Sequence, residues 1–323
     1  MAKLVVVHGF SDHIGRYYGF FPALASRGIA VYGYDQRGWG RSVRQPRDKG
    51  RTGPTEQVVA ELASFVGAQL AAAPEDVPLF VLGHSMGGGE ALTLMADASY
   101  ADSVLSQVRG WLLEAPFIGW PAGEEPSAVK ILVGRVAARL LPHRPLMHVI
   151  PPENLSRDPD VVASLRADAL CHNTGTLEGL ASLLDRTEAL LHGRTTLAPC
   201  VQSLWLGHGT ADLGTSYAAS KAWFERQKGL QDATFKTYDG WYHQLHAEPG
   251  RDEFYKDVGD WIVARCGRGE NKGAAAVPVR KEGGGGAAKG QAPKAAAEHT
   301  AEVGKEAGNA AAGEEGVKVD PKL

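Results

Sequence analysis

The chain has 323 residues, 44% of them hydrophobic and 22% charged, with a formal net charge of -3. That apolar content suits one large globular core; the mild charge gives no reason to expect nucleic acid as a partner, and no apolar run approaches the ~20 residues of a membrane span. Cys171, Cys200 and Cys266 are odd in number and show no paired spacing, and no leader-like stretch opens the sequence, so the expectation is a reduced, cytoplasmic protein.

Leu4-Val5-Val6-Val7 is a continuous apolar run, which predicts a strand buried on both faces. It ends in the turn His8-Gly9-Phe10-Ser11, and residues 17–27 read as a helix closed by Gly28. A second strand is predicted over 29–34, followed by the Gly-rich loop Asp35-Gln36-Arg37-Gly38-Trp39-Gly40-Arg41-Ser42. Val58, Val59, Leu62, Phe65, Val66 and Leu70 recur close to helical spacing within 55–72. Residues 78–82 form the third predicted strand, 90–96 a helix start, and 108–115 the fourth strand. Strand alternating with helix predicts right-handed βαβ units: an α/β fold with a mostly parallel sheet flanked by helices.

From Pro116 the rhythm breaks. Residues 119–197 carry many prolines and no clear strand, and read as a helical cap inserted between the two parts of the core, 1–118 and 198–266. Within the cap, Val129, Leu132, Val133, Val136, Ala137 and Leu140 fall on one helix face, with Lys130, Arg135 and Arg139 outside it, and Pro142 stops the helix. A second cap helix is predicted over 176–191. Core elements return as a strand over 201–206, a helix over 216–228, a strand over 233–238 and a last helix over 252–265. Residues 267–323 contain no Phe, Tyr or Trp and are dominated by Gly, Ala, Lys and Glu, the composition of a disordered tail.

Gly83-His84-Ser85-Met86-Gly87 follows a predicted buried strand and opens a helix. This is the pattern of a nucleophile elbow, where a strained turn lifts a serine Oγ above the C-terminal edge of a sheet. The flanking glycines suit it because a Cβ on either side would strike the neighbouring strand or helix. A serine hydroxyl is a weak nucleophile and needs a base that is itself oriented by a carboxylate. Asp212, just past a predicted strand, reads as that acid, although an Asx-turn residue starting the next helix fits as well. Two histidines compete for the base: His243, directly after a Gly-containing turn and taken as the base, and His246, taken as a pocket residue. The oxyanion hole needs two backbone N–H groups, and Met86 and Phe10 are the candidates. His84 is expected to make a structural hydrogen bond.

His8-Gly9-Phe10-Ser11-Asp12-His13-Ile14-Gly15-Arg16-Tyr17, Asp35-Gln36-Arg37-Gly38-Trp39-Gly40-Arg41-Ser42, Gly83-His84-Ser85-Met86-Gly87-Gly88, Gly209-Thr210-Ala211-Asp212 and Tyr242-His243-Gln244-Leu245-His246, taken in this order, resemble the monoacylglycerol lipase family, its fungal members most closely. The resemblance covers residues 4 to about 265. It implies an α/β-hydrolase with a mobile helical cap that hydrolyses monoacylglycerols to fatty acid and glycerol, with neither metal nor organic cofactor. It carries the family's triad onto Ser85, Asp212 and His243, its oxyanion hole onto Phe10 and Met86, and its pocket for the glycerol end onto Asp12, Arg16 and His246. Asp12 stands where many relatives carry a glutamate, so its contact would be shorter or water-bridged. The resemblance further implies peripheral contact with membranes or lipid droplets through the cap. The helix over 129–141 suits that role, and equally suits an apolar face turned inward as the cap's own core.

Other serine hydrolases share such a fold, so a lysophospholipase, a short-chain carboxylesterase and an aminopeptidase-like relative stay open. Epoxide and haloalkane hydrolases are disfavoured, because they need a carboxylate nucleophile where Ser85 stands. A non-catalytic binding protein would show erosion among Ser85, Asp212 and His243, and all three are present. In relatives an antiparallel strand or pair precedes the oxyanion-loop strand, which here begins close to Met1. The expectation is a sheet that ends early on one side, from a start at an internal methionine or from a short isoform.

Overall fold

The computed structural model describes residues 1–72 and 77–267. In the first strand, β1 (Ala2–Val7), Leu4 and Val6 turn to one side and Val5 and Val7 to the other, and all four are fully buried. Successive side chains of a strand alternate faces, so an unbroken apolar run can sit only inside a sheet covered on both sides. The remaining strands are β2 (Ile29–Gly33), β3 (Leu79–His84), β4 (Val108–Glu114), β5 (Pro145–Met147), β6 (Thr174–Thr176), β7 (Ser203–Gly209) and β8 (Asp232–Tyr238). Six of them form one parallel sheet in the order β2-β1-β3-β4-β7-β8, while β5 and β6 make a separate antiparallel pair.

The helices are α1 (Phe20–Ala25), α2 (Thr55–Ala71), α3 (Met86–Met95), α4 (Ala128–Leu140), α5 (Pro159–Ala167), α6 (Leu177–Leu191), α7 (Tyr217–Glu225) and α8 (Arg251–Val263). On one side of the sheet Val5, Val7, Val81 and Leu113 pack against Val59, Leu62 and Val66 of α2 and Leu92 and Met95 of α3. On the other, Leu4, Val6, Phe80, Leu82 and Trp205 pack against Phe20 and Leu24 of α1 and Phe254, Val258 and Ile262 of α8. Burying each such side chain contributes ~1.5–3 kcal/mol, set against the entropy of ordering the chain. Because the six strands are parallel, the segments that follow β1, β3, β4, β7 and β8 all leave from one edge of the sheet. Among the described residues β2 pairs on one side only, with β1.

Several elements differ from the sequence reading. The helix expected over 17–27 is reduced to the six residues of α1, and a separate 3-10 turn, Ile14–Arg16, precedes it. Pro22 has no N–H for residue 18, and Tyr18 takes φ 40°, so a helix cannot run through from Tyr17. The helix expected from residue 90 starts at Met86, directly on the elbow. The insertion between β4 and β7 was expected to lack strands and contains β5 and β6, each too short for an alternating pattern to show. It also contains α5, whose start has Asp158 accepting from the backbone of Asp160 and Val161, with Pro159 as first helical residue. The tail expected over 267–323 lies, apart from Gly267, outside the described residues.

Candidate active site

Ser85 leaves the end of β3 with φ 53° and ψ -117°, a left-handed conformation that a side-chain-bearing residue adopts at ~1–3 kcal/mol. The surroundings over-determine it. Ser85 N–H donates to Glu114 O at 3.0 Å, and Ser85 O accepts from Phe117 N at 2.9 Å and Gly89 N at 3.1 Å. A Cβ on Gly83 would stand 2.5 Å from Gly87 O, and one on Gly87 would stand 2.5 Å from Val7 O, so both flanking glycines are required. Ser85 occupies the cap position of α3 without capping it, which leaves the hydroxyl free of the helix.

Asp212 follows β7, and His243 follows β8. The ring Nδ1–H of His243 donates to Asp212 Oδ2 at 2.8 Å. Asp212 Oδ1 accepts from Gly214 N at 2.6 Å and Thr215 N at 2.9 Å, so it is at once the residue facing His243 and an Asx-type turn former. Burial alone would raise its carboxyl; His243 and His208 outweigh that and hold it well below the usual carboxylate range. For His243 burial works toward the neutral ring, but the Asp212 charge and hydrogen bond win and raise it above the ordinary histidine value. Two partners of Asp212 were not foreseen: buried His208, whose Nε2–H donates to Oδ2 at 2.9 Å, and Thr215, whose Oγ1 lies 2.9 Å from the same oxygen. The only signal for His208 was its place at a strand end four residues before the acid.

The loop after β1 is fixed by His8, which is fully buried. His8 Nδ1 lies 2.8 Å from Gly9 O, and Nε2 accepts the N–H of Gln36 at 2.9 Å, while Gln36 Nε2 donates back to His8 O at 2.7 Å. An acceptor at Nε2 requires the neutral, Nδ1–H ring, consistent with burial lowering its pKa. A Cβ on Gly9 would meet Ser85 Cβ at 3.1 Å, so the glycine permits the loop to approach Ser85. Phe10 packs edge-on against Trp39, with ring centroids 4.7 Å apart. Met86 is the first residue of α3, where a backbone N–H has no intrahelical acceptor and the helix dipole favours negative charge.

Gly9, Phe10, Ser11, Asp12, His84, Ser85, His243 and Gln244 line one cavity of about 40 Å3, closed from the cap by Ile150, Pro152, Leu155, Leu165, Cys171 and Asn173. Of the three residues expected at the glycerol end, Asp12 lies on its wall. Its Oδ1 accepts from His13 N at 2.8 Å, and the buried Tyr17 hydroxyl faces the same carboxylate. Arg16 and His246 do not line that cavity. The guanidinium of Arg16 bonds to Asp168 Oδ2 at 3.1 Å, tying the core to the segment after α5, and also to the Tyr18 hydroxyl. His246 is fully buried behind the site: its N and Nδ1 lie 3.0 and 2.7 Å from Glu114 Oε1, and its ring stacks on Tyr17 at 4.3 Å. His84 does not make the hydrogen bond expected of it; Nδ1 stands 3.6 Å from Glu114 Oε2, and burial pushes its pKa down to about 4.

Two clusters hold side chains of metal-ligand type, His13–Asp168–Cys171 and His84–Glu114–His246. In the first, the Asp168 oxygen is already taken by His13 and the Arg16 cation, and burial pushes the Cys171 thiol up to about 12. In the second, a proton stands between His246 Nδ1 and Glu114 Oε1. Both are hydrogen-bonded clusters.

The parallel sheet, the strained serine at its C-terminal edge and the oriented histidine define an α/β-hydrolase with a serine-hydrolase site. Residues 1–250 match the family described as serine aminopeptidase, S33, and the chain belongs to that family. It is 32% identical over 266 residues to a Schizosaccharomyces pombe protein provisionally named a monoglyceride lipase, covering 81% of this chain and 67% of that protein. It is 29% identical to the monoacylglycerol lipase of Mycolicibacterium smegmatis, covering 81% of this chain and 88% of the relative. The fold is shared with a soluble variant of Saccharomyces cerevisiae monoglyceride lipase, solved with a substrate analogue, at a TM-score of 0.72 and 20% identity over 82% of this chain and 86% of that one.

Proposed function

We propose that the protein hydrolyses the ester bond of monoacylglycerols. Ser85 Oγ attacks the ester carbonyl as His243 Nε2 takes its proton; Asp212 keeps the ring in the Nδ1–H tautomer and stabilises the imidazolium that forms. The carbonyl oxygen, now an oxyanion, is received by the N–H groups of Phe10 and Met86. His243 returns the proton to the leaving glycerol, and a water activated by His243 then releases the fatty acid from Ser85.

The observation that carries the choice of substrate is Asp12. The Asp12 carboxylate, buried on the same wall as Ser85 and His243 with the Tyr17 hydroxyl beside it, matches the hydroxyl donors of a glycerol head. The same carboxylate repels a phosphate, which disfavours lysophospholipids. The names of the relatives above support the same reading. The cavity, at about 40 Å3, is far smaller than an acyl chain, so this reading calls for the cap wall to move on binding.

The cap helix α4 supports a peripheral membrane contact. Val129, Leu132, Val133, Val136 and Leu140 are 49–74% exposed, and Leu146, Met147 and Val149 are exposed as well. These exposures support the outward reading over the inward one, as does the pairing of Arg135 with Asp185 and Glu188 of α6. An exposed apolar row beside Lys130 and Arg139 suits the boundary of an anionic bilayer. The test of function is hydrolysis of monoacylglycerols against lysophospholipids and diacylglycerols, with Ser85→Ala as the control. Preference for monoacylglycerols supports the reading; preference for lysophospholipids overturns it.

A further inference from the structure

Glu114, the last residue of β4, is a fully buried carboxylate beneath the nucleophile with no place in the reaction as described. Its main chain and side chain reach different parts of the site. The carbonyl accepts the N–H of Ser85 at 3.0 Å, holding the strained elbow. Oε1 accepts both the N–H and the Nδ1–H of His246, at 3.0 and 2.7 Å, and so pins the turn Leu245–Ala247 that directly follows the base loop. Oε2 faces His84 Nδ1 at 3.6 Å, and the His84 ring lies 4.8 Å from that of His243.

We infer that Glu114 is a positioning residue of the hydrolytic site, one that locks the nucleophile elbow to the base loop and places a fixed negative charge behind His243. The inference rests on the assignment of Ser85 and His243 made above. Burial alone would raise the Glu114 carboxyl, yet the opposing His246 and His84 and the His246 hydrogen bonds hold it down at about 2, so it is ionised wherever the enzyme works. The groups bearing on His243 are Asp212, Glu114 and Asp12, which favour its charged form, the neighbouring ring of His84, and His208, which shares Asp212. Asp212 makes the direct bond, and Glu114 adds its field across the tilted ring of His84, which stands between it and His243.

Glu114→Gln keeps the shape and the acceptor oxygen and removes only the charge. The expected result is a kcat lower by about tenfold, KM within about twofold, and an acid limb of the kcat/KM–pH profile displaced to lower pH. A purely structural role would not move that limb, and an unshifted limb in the folded variant overturns the inference. Should Glu114→Gln fail to fold, Glu114→Asp carries the test: the charge stays while the oxygen withdraws from His246, so kcat falls with the limb in place, and wild-type kcat overturns the inference. Ser85→Ala assayed alongside separates the two layers, because activity retained there refutes the nucleophile assignment and not the role of Glu114.

Discussion

His208 Nε2 lies 2.9 Å from the same Asp212 oxygen that receives His243 Nδ1 at 2.8 Å. The acid therefore serves two histidines, and the inner one shares the electron density that would otherwise go to the base. Replacing His208 with Ala should leave Asp212 more basic toward His243, move the acid limb of kcat/KM to higher pH, and lower kcat by about tenfold through looser orientation. A pH–rate profile checks it; a limb in the wild-type position would show that His208 only fills space.

The Asp212–His243 pair also makes stability depend on pH. His243 is raised, so its contribution is full below its unfolded value of about 6.5 and fades as pH rises through the folded value. Asp212 is depressed, so its contribution is full above about pH 3.9 and fades only as pH falls through its folded value. Asp212→Asn should lower kcat by ~10³–10⁴-fold and depress Tm more near about pH 5.5 than near about pH 8.5. Thermal melts at the two pH values test the sign. Equal losses would count against the pairing.

His246 is bonded to Glu114, which predicts an effect on stability. His246→Ala removes the ring donor and leaves the buried Glu114 Oε1 with the residue 246 N–H alone, which costs ~1–3 kcal/mol, so Tm should fall. His243→Ala, by contrast, should abolish turnover while the fold persists. A raised KM with unchanged Tm in His246→Ala would return that residue to the substrate pocket.

The outward face of α4 predicts a separation of binding from chemistry. Leu132→Glu together with Leu140→Glu should reduce co-sedimentation with anionic vesicles by about tenfold or more, because each side chain loses ~1.5–3 kcal/mol of apolar burial. Hydrolysis of a short, water-soluble ester should be unchanged. Undiminished vesicle binding would mean that another surface makes the contact.

Much of this architecture was legible in the sequence. Leu4 to Val7 can be buried only between two helix layers, and the glycines around Ser85 are dictated by carbonyls 2.5 Å from where a Cβ would stand. The pairing of Asp212 with His243 follows from the adjacency of β7 and β8, two strands joined by a single helix. Other features depend on facts that a linear pattern does not hold. An amphipathic row such as Val129 to Leu140 has the same spacing whether it faces a core or solvent. Arg16 and His246 are polar residues within a few positions of the cavity, and only the fold shows that Asp168 and Glu114 claim them. Pro159 belongs to a helix start because Asp158 caps it, although prolines in that region read as breaks.

The central claim is that Ser85 is the nucleophile of an ester hydrolase. It is tested most directly by reacting the wild-type chain and Ser85→Ala with a fluorophosphonate while monoacylglycerol hydrolysis is followed in both. The account predicts one labelled serine in the wild type, and in the variant no label, a loss of turnover of ~10⁴–10⁶-fold and an unchanged melting curve. Labelling or turnover that survives in folded Ser85→Ala would contradict it.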